Sequence, residues 1–98
     1  MKSNIIFTLE ARRCLDDLAR DNSLSKRFRS VRKAIGYLES NPKHHGLHTH
    51  KHRVLKGKNG EEVFIAYVEN HAPQAYRILW HYGPGKKTIT IFSIAPHP

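Results

Sequence analysis

The chain has 98 residues, with 17 Lys and Arg against 8 Asp and Glu, so its formal net charge at pH 7 is +9. This length predicts one domain, residues 1–98, and the charge favours a polyanionic partner, either nucleic acid or an acidic protein segment. The lone Cys14 excludes an internal disulfide, and no apolar run approaches the ~18 residues of a membrane helix or forms a signal peptide. We therefore expect a soluble cytoplasmic protein that does not bind membranes.

The first predicted elements are a short strand and a helix. Apolar residues at positions 5–7 predict a strand over roughly residues 3–8. Thr8 is the predicted N-cap of the helix that follows. Apolar residues then recur at helical spacing: Ala11, Leu15, Leu18 and Ala19. This helix is predicted to end near residue 21.

A second helix carries the clearest periodicity in the sequence. Ser23 is its predicted N-cap, and Pro42 ends it, because the residue before a proline is disfavoured in the helical conformation. Its apolar positions alternate between spacings of four and three: Leu24, Phe28, Val31, Ile35 and Leu38. Its other side is basic and is either solvated or in contact with a polyanion: Lys26, Arg27, Arg29, Arg32 and Lys33.

Strand patterns fill the rest of the chain after a loop at 42–47. Predicted strands cover 52–56, 63–68, 75–82 and 88–95. The Asn59-Gly60 pair predicts a hairpin between the first two. We predict an α+β fold with an N-terminal strand and a two-helix hairpin packed on one face of a small antiparallel β-sheet. The other face stays open, and a ligand is expected there.

Histidines crowd the region between residues 44 and 52. His48, His50 and His52 alternate, so in an extended segment they would share one side and could bind a transition metal. No Cys, Asp or Glu lies near them in sequence. We therefore predict a pH-sensitive basic patch, and neither a metal nor a cofactor.

The penultimate strand carries the most informative polar residues. By alternation Arg77 and His81 share the side opposite Trp80. An arginine among bulky apolar residues is costly to bury unless it is paired. Arg77 therefore either forms an ion pair with a glutamate such as Glu62 or Glu69, or faces the open side as a bidentate phosphate clamp.

Two histidines on or near the strands are candidates for proton transfer. His81 lies on the penultimate strand, and His97 follows the last one. An imidazole titrates near neutral pH, so either residue could act as a general acid or base.

Taken together, the chain resembles the RelE/ParE superfamily of toxin–antitoxin toxins over nearly its whole length. The order of strand, helical hairpin and antiparallel meander matches that superfamily. Three local patterns match too: the helix end Leu38-Glu39-Ser40-Asn41-Pro42, the turn Val54-Leu55-Lys56-Gly57, and the strand Tyr76-Arg77-Ile78-Leu79-Trp80 before an apolar last strand that ends in a basic residue.

The resemblance to RelE-like ribosome-dependent ribonucleases implies that messenger RNA binds on the concave sheet face. The RNA 2′-hydroxyl then attacks the adjacent phosphate. By position, Arg77 looks like the arginine that contacts this phosphate, and His97 falls at a basic or histidine catalytic position. His81 is the third catalytic candidate. Arg53 and Lys56 fall in a region that touches RNA.

Partners follow from the charge and from the resemblance. Arg29, Arg32 and Lys33 on the basic helix are further candidates for RNA contact. The resemblance implies the ribosome and its RNA as one partner and an acidic antitoxin protein as another. It leaves the oligomeric state open.

Two alternatives stay open beside the ribonuclease. RelE-like members often carry catalytic lysines on the strand before the arginine strand, whereas residues 63–68 contain no lysine. The chain could therefore be a non-catalytic module of the same fold that binds RNA or an acidic partner. It could also be a ParE-like gyrase inhibitor.

Overall fold

The computed structural model describes residues 2–69 and 75–96 of the chain. These residues form two α-helices and five strands, with short 3-10 helices at Asn22–Leu24 and His45–Leu47. In chain order the elements are β1 (Asn4–Phe7), α1 (Leu9–Arg20), α2 (Ser25–Ser40), β2 (His50–Lys56), β3 (Glu62–Tyr67), β4 (Tyr76–Tyr82) and β5 (Thr88–Pro96). Neither helix has the length and apolar character needed to cross a membrane.

The five strands form one sheet in the order β1-β5-β4-β3-β2. Strands β2 to β5 are an antiparallel meander, whereas β1 pairs with β5 in parallel. The predicted α+β architecture is confirmed, but the sheet is mixed instead of wholly antiparallel. After β1 the chain forms both helices and enters the sheet again at its far edge, as β2. The antiparallel strands β3 to β5 then lead back across the sheet, so β5 lies beside β1 and runs in the same direction.

The two helices begin differently, α1 with a side-chain cap and α2 without one. Thr8 caps α1 as predicted, because its hydroxyl oxygen accepts a hydrogen bond of 3.2 Å from the backbone N–H of Ala11. The prediction that Ser23 caps α2 is wrong. Asp21 instead accepts hydrogen bonds from the Ser23 backbone N–H and hydroxyl, which stabilises the 3-10 helix Asn22–Leu24. Helix α2 then begins directly after it without a side-chain cap.

Both helices pack on one face of the sheet, and the core lies between the helices and that face. The helices contribute Ala11, Leu15, Leu18, Val31, Ala34 and Leu38, and the strands contribute Ala66, Ile78, Trp80, Ile89, Ile91 and Ile94. Leu47 joins this core with no exposed surface, although its surroundings have the composition of a loop. The short helix His45–Leu47 is therefore tied to the core by one side chain.

The two sides of β4 follow the predicted alternation. Ile78 and Trp80 face the helices and belong to the core, so Arg77, Leu79 and His81 face the other way. The pairing of β4 with β5 shifts after Leu79, which is opposite Ser93, whereas Trp80 is opposite Ile91. This β-bulge leaves Phe92 as an extra residue, so the inward-facing positions of β5 change from 89 and 91 to 94.

Candidate nucleic-acid interface

Arg77 lies half-buried on the open face of the sheet, and both of its predicted ion-pair partners are engaged elsewhere. Glu69 accepts a hydrogen bond of 2.9 Å from Nε of Arg27. Glu62 lies 2.8 Å from Nζ of Lys56. Within residues 2–69 and 75–96, no carboxylate forms a salt bridge with Arg77. The structure therefore gives Arg77 neither of the predicted ion pairs.

A half-buried guanidinium that forms no ion pair with a described carboxylate is suited to bind an anion. Cross-strand register places Arg77 between Tyr67 of β3 and Ala95 of β5, so an aromatic ring and a small side chain flank it. Partial removal of a cation from water carries a free-energy cost that a bound anion offsets. The planar guanidinium can donate two parallel hydrogen bonds to one phosphate.

His81 lies on the same face and is oriented by a backbone contact. Its Nδ1 is 2.8 Å from the carbonyl oxygen of Tyr82, and its ring centroid is 5.9 Å from that of Phe92. A carbonyl oxygen can only accept a hydrogen bond, so this contact assigns the proton to Nδ1. In the neutral ring Nε2 is then the proton acceptor, which is the state that a general base needs.

Glu61 also belongs to this site. Its Oε2 lies 3.9 Å from Nδ1 of His81, because the turn after β2 brings residue 61 back against β4. Hydrogen bonds from the backbone N–H groups of Glu61 and Asn59 lower the pKa of Glu61, and the nearby His81 adds a smaller effect. Glu61 thus places an anion beside the imidazole of His81. The Asn59-Gly60 hairpin was the available signal for this approach.

Arg77 and His81 share a face but stand at opposite ends of it. Four residues along a strand correspond to about 13 Å. Both side chains can therefore contact the same ligand only when that ligand extends along β4. A single-stranded nucleic acid has this shape, whereas an isolated phosphate does not.

The predicted RNA-binding residues fall on two surfaces. Arg53 and Lys56 lie on β2, at one edge of the sheet. Arg29, Arg32 and Lys33 are exposed on α2, which covers the opposite face of the sheet from Arg77. One ligand on the open face can reach the first pair but not the α2 residues.

The remaining histidines do not form the predicted alternating row. His48 adopts a left-handed conformation (φ 46°) before β2 begins, so it does not continue the alternation of His50 and His52. Nδ1 of His52 accepts hydrogen bonds from two backbone N–H groups of its own strand. No group of three or more His, Cys, Asp or Glu side chains that could hold a metal ion occurs in the described part of the chain. His97 lies outside the described residues.

Comparison with known proteins identifies the fold. No family model matches the sequence, and no curated protein does. The YoeB/ParE toxin from Agrobacterium tumefaciens is similar over 97% of this chain and 99% of its own, with a TM-score of 0.71 and 10% sequence identity. YoeB from Staphylococcus aureus, solved as a dimer, covers 100% of both chains with a TM-score of 0.65 and 14% identity. RelE of an archaeal RelE-RelB complex from Pyrococcus horikoshii matches over 98% and 96%, with a TM-score of 0.65 and 16% identity.

These similarities define the class of structure. The chain has the fold of the RelE/ParE toxin superfamily over its whole described length. At 10–16% identity the similarity concerns the fold, and the activity has to be argued from the residues of this chain.

Proposed function

We propose that this chain is a RelE-like toxin of a toxin–antitoxin system that cleaves messenger RNA at the ribosome. The proposal rests on Arg77, a half-buried cation on the open face of a RelE-type sheet. Arg77 forms no ion pair with the described residues. The net charge of +9 favours association with RNA and with the ribosome. Such an enzyme works in the cytoplasm.

The proposed reaction needs one anion clamp and two proton transfers. Arg77 holds the scissile phosphate by two charge-assisted hydrogen bonds and stabilises the charge that develops on its oxygens. A base removes the proton of the 2′-hydroxyl, whose oxygen attacks phosphorus. The 5′-oxygen leaves with a proton from an acid. His97 is proposed for one of these transfers.

In this proposal, His81 and the cations of β2 contact the part of the RNA next to the scissile phosphate. Nε2 of His81 accepts a hydrogen bond from the RNA about 13 Å along the strand from Arg77. Arg53 and Lys56 contact backbone phosphates at the edge of the sheet. This arrangement orients an extended strand along β4 and uses no metal or cofactor.

An acidic antitoxin is the proposed protein partner. The archaeal neighbour of the same fold is a RelE-RelB complex. The exposed cations Arg29, Arg32 and Lys33 form a basic surface on α2 that complements an acidic segment. This surface lies away from Arg77, so an antitoxin can hold the toxin without relying on the residues that contact RNA.

One observation favours a second candidate function. The open-face positions of β3 include Val63 and Ile65, which are buried and apolar where RelE-like enzymes often carry catalytic lysines. A non-catalytic module that binds RNA or an acidic protein on the same fold would have this composition. A gyrase inhibitor is the third possibility, because the name of the Agrobacterium neighbour includes ParE.

Controlled expression of the wild type beside Arg77→Ala and Arg29→Ala tests the proposal. Growth is measured together with primer-extension mapping of a reporter message. Arrest with cleavage at ribosome-phased positions is expected for the wild type and for Arg29→Ala, which loses the same charge on the opposite surface. Arg77→Ala should cleave at least about tenfold more slowly, as expected for losing a hydrogen-bonded charge.

The outcomes separate the three candidates. Cleavage that is unchanged in Arg77→Ala contradicts the site assignment. Intact message and normal growth with folded wild-type protein favour the binding module. Arrest accompanied by DNA-damage signalling, with the message intact, indicates gyrase as the target.

A further inference from the structure

A cavity lies on the face of the sheet opposite to Arg77, and we name it the Trp80 cavity. Its volume is about 520 Å³, within the range of small-molecule sites. The aromatic rings of Phe64, Trp80 and Tyr82 form one side, and the segment from Pro42 to His50 forms the other. Neither the mechanism proposed above nor the core packing uses this space.

The aromatic side of the Trp80 cavity is a preformed cluster. The rings of Phe64 and Trp80 are stacked with centroids 5.0 Å apart. Tyr82 meets both rings edge-on, at 5.8 Å from Phe64 and 5.0 Å from Trp80. Trp80 is 1% exposed, whereas Tyr82 is 46% exposed and leaves ring surface for a ligand. Tyr82 is among the few large apolar or aromatic side chains that the fold leaves this open.

Two buried polar atoms of cavity-lining residues lack partners among the described residues. Nε1 of Trp80 and Oγ1 of Thr49 are shielded from water and form no hydrogen bond with residues 2–69 or 75–96. Buried polar atoms are nearly always hydrogen-bonded, so each of these two atoms requires an explanation. The indole N–H can only donate, and the hydroxyl can donate or accept. A ligand that complements these two atoms offers an acceptor edge.

The charge of the lining limits the ligand further. Lys43 and four histidines, His44, His45, His48 and His50, line the cavity, and none of its lining residues is acidic. His44 is stacked between Tyr37 and His45, with centroids 3.9 and 5.0 Å away, so this wall of the cavity is also built from aromatic rings. The lining therefore suits a planar, acceptor-rich group that is attached to an anion.

We propose that the Trp80 cavity binds a nucleobase, with the attached phosphate towards Lys43. A nucleobase stacks on aromatic side chains and presents ring nitrogens or carbonyl oxygens to the Trp80 N–H and the Thr49 hydroxyl. An apolar aromatic side chain of a protein partner would fill the space but would leave both polar atoms unpartnered. The base can belong to a free nucleotide or to single-stranded RNA. The cavity and Arg77 are on opposite faces, so this inference does not depend on the proposed function.

Trp80 is the single tryptophan of the chain, so its fluorescence reports on the cavity directly. The full chain is titrated with AMP, with a single-stranded RNA hexamer, and with ribose 5-phosphate, which has the phosphate without the base. We expect a saturable change in Trp80 fluorescence with AMP or the hexamer, and none with ribose 5-phosphate at the same concentration. Tighter binding of the hexamer assigns the base to RNA, and equal or weaker binding assigns it to a free nucleotide.

Variants place the binding in the cavity. Tyr82→Leu should weaken binding about tenfold or more through lost stacking, and Thr49→Val about threefold to tenfold through one lost hydrogen bond. Arg13→Ala is the control, because it removes an exposed cation of α1 that does not line the cavity, and it should bind AMP like the wild type. Circular dichroism confirms that each variant is folded.

Three results would overturn the proposal. The first is an equal response to ribose 5-phosphate, which would indicate a simple anion effect. The second is unchanged AMP binding in both Tyr82→Leu and Thr49→Val. The third is tighter binding of N-acetylphenylalaninamide than of AMP, which would assign the cavity to an aromatic side chain of a protein partner.

Discussion

Substituting Leu47 by alanine tests whether the short helix His45–Leu47 is part of the folded core. Leu47 has no exposed surface, so the whole hydrophobic contribution of its side chain is lost. The change removes three carbon atoms, which at about 0.8 kcal/mol per methylene is about 2.4 kcal/mol. The cavity left behind raises the total destabilisation to about 2.5–3.5 kcal/mol, in the lower half of the usual range because a short surface segment can partly relax.

Chemical denaturation followed by circular dichroism measures this difference in the free energy of unfolding. For a domain of this size the melting temperature should fall by roughly 10–25 °C. Leu47→Met, which nearly conserves volume, should cost less than about 1.5 kcal/mol. Val54→Ala is the exposed control, because Val54 is 82% exposed and should change stability by no more than about 0.5 kcal/mol. A loss below about 1 kcal/mol for Leu47→Ala would refute the reasoning, because the segment would then not be held by core packing.

Two further predictions concern a helix cap and a carboxylate. Thr8→Ala removes the acceptor for the backbone N–H of Ala11 and should lower the free energy of unfolding by about 0.5–2 kcal/mol. Thr8→Ser keeps a hydroxyl acceptor and should retain most of the wild-type stability. Equal stability of all three proteins would contradict the cap. The pKa of Glu61 is lower in the folded chain than its usual value of about 4.5, so its ionised form stabilises the fold above that pH and this contribution disappears as the pH falls through the folded pKa. Urea midpoints of the wild type and Glu61→Gln should therefore differ at neutral pH in favour of the wild type and converge in acid, and a difference independent of pH would argue against the ionised contact.

The fold was largely predictable because its periodic signals are strong. Helix α2 follows apolar spacings of four and three, and its end before Pro42 is confirmed. The alternation along β4 predicted that Trp80 and Arg77 lie on opposite sides of the strand, as observed. Local patterns of this kind depend on neighbouring residues only.

The errors concern features that depend on tertiary contacts. Nothing local to Leu47 distinguishes a buried leucine from an exposed one in a polar loop. The parallel pairing of β1 with β5 joins segments more than 80 residues apart, and no turn sequence specifies it. The approach of Glu61 to His81 depends on how tightly the hairpin closes. The predicted N-cap at Ser23 was one residue early, because Ser23 belongs to the 3-10 helix that Asp21 caps and its hydroxyl donates to Asp21.

The position of β5 has a consequence for the order in which the chain can fold. This strand is the last of the five in the sequence, yet it lies between β1 and β4 and carries three residues of the core. During synthesis, a nascent chain that ends before Thr88 leaves the inner edges of β1 and β4 unpaired and α1 without the strand it packs against. Such an intermediate exposes strand edges and apolar surface, which makes it prone to aggregation and a substrate for chaperones. The sheet therefore closes only after β5 has left the ribosomal tunnel.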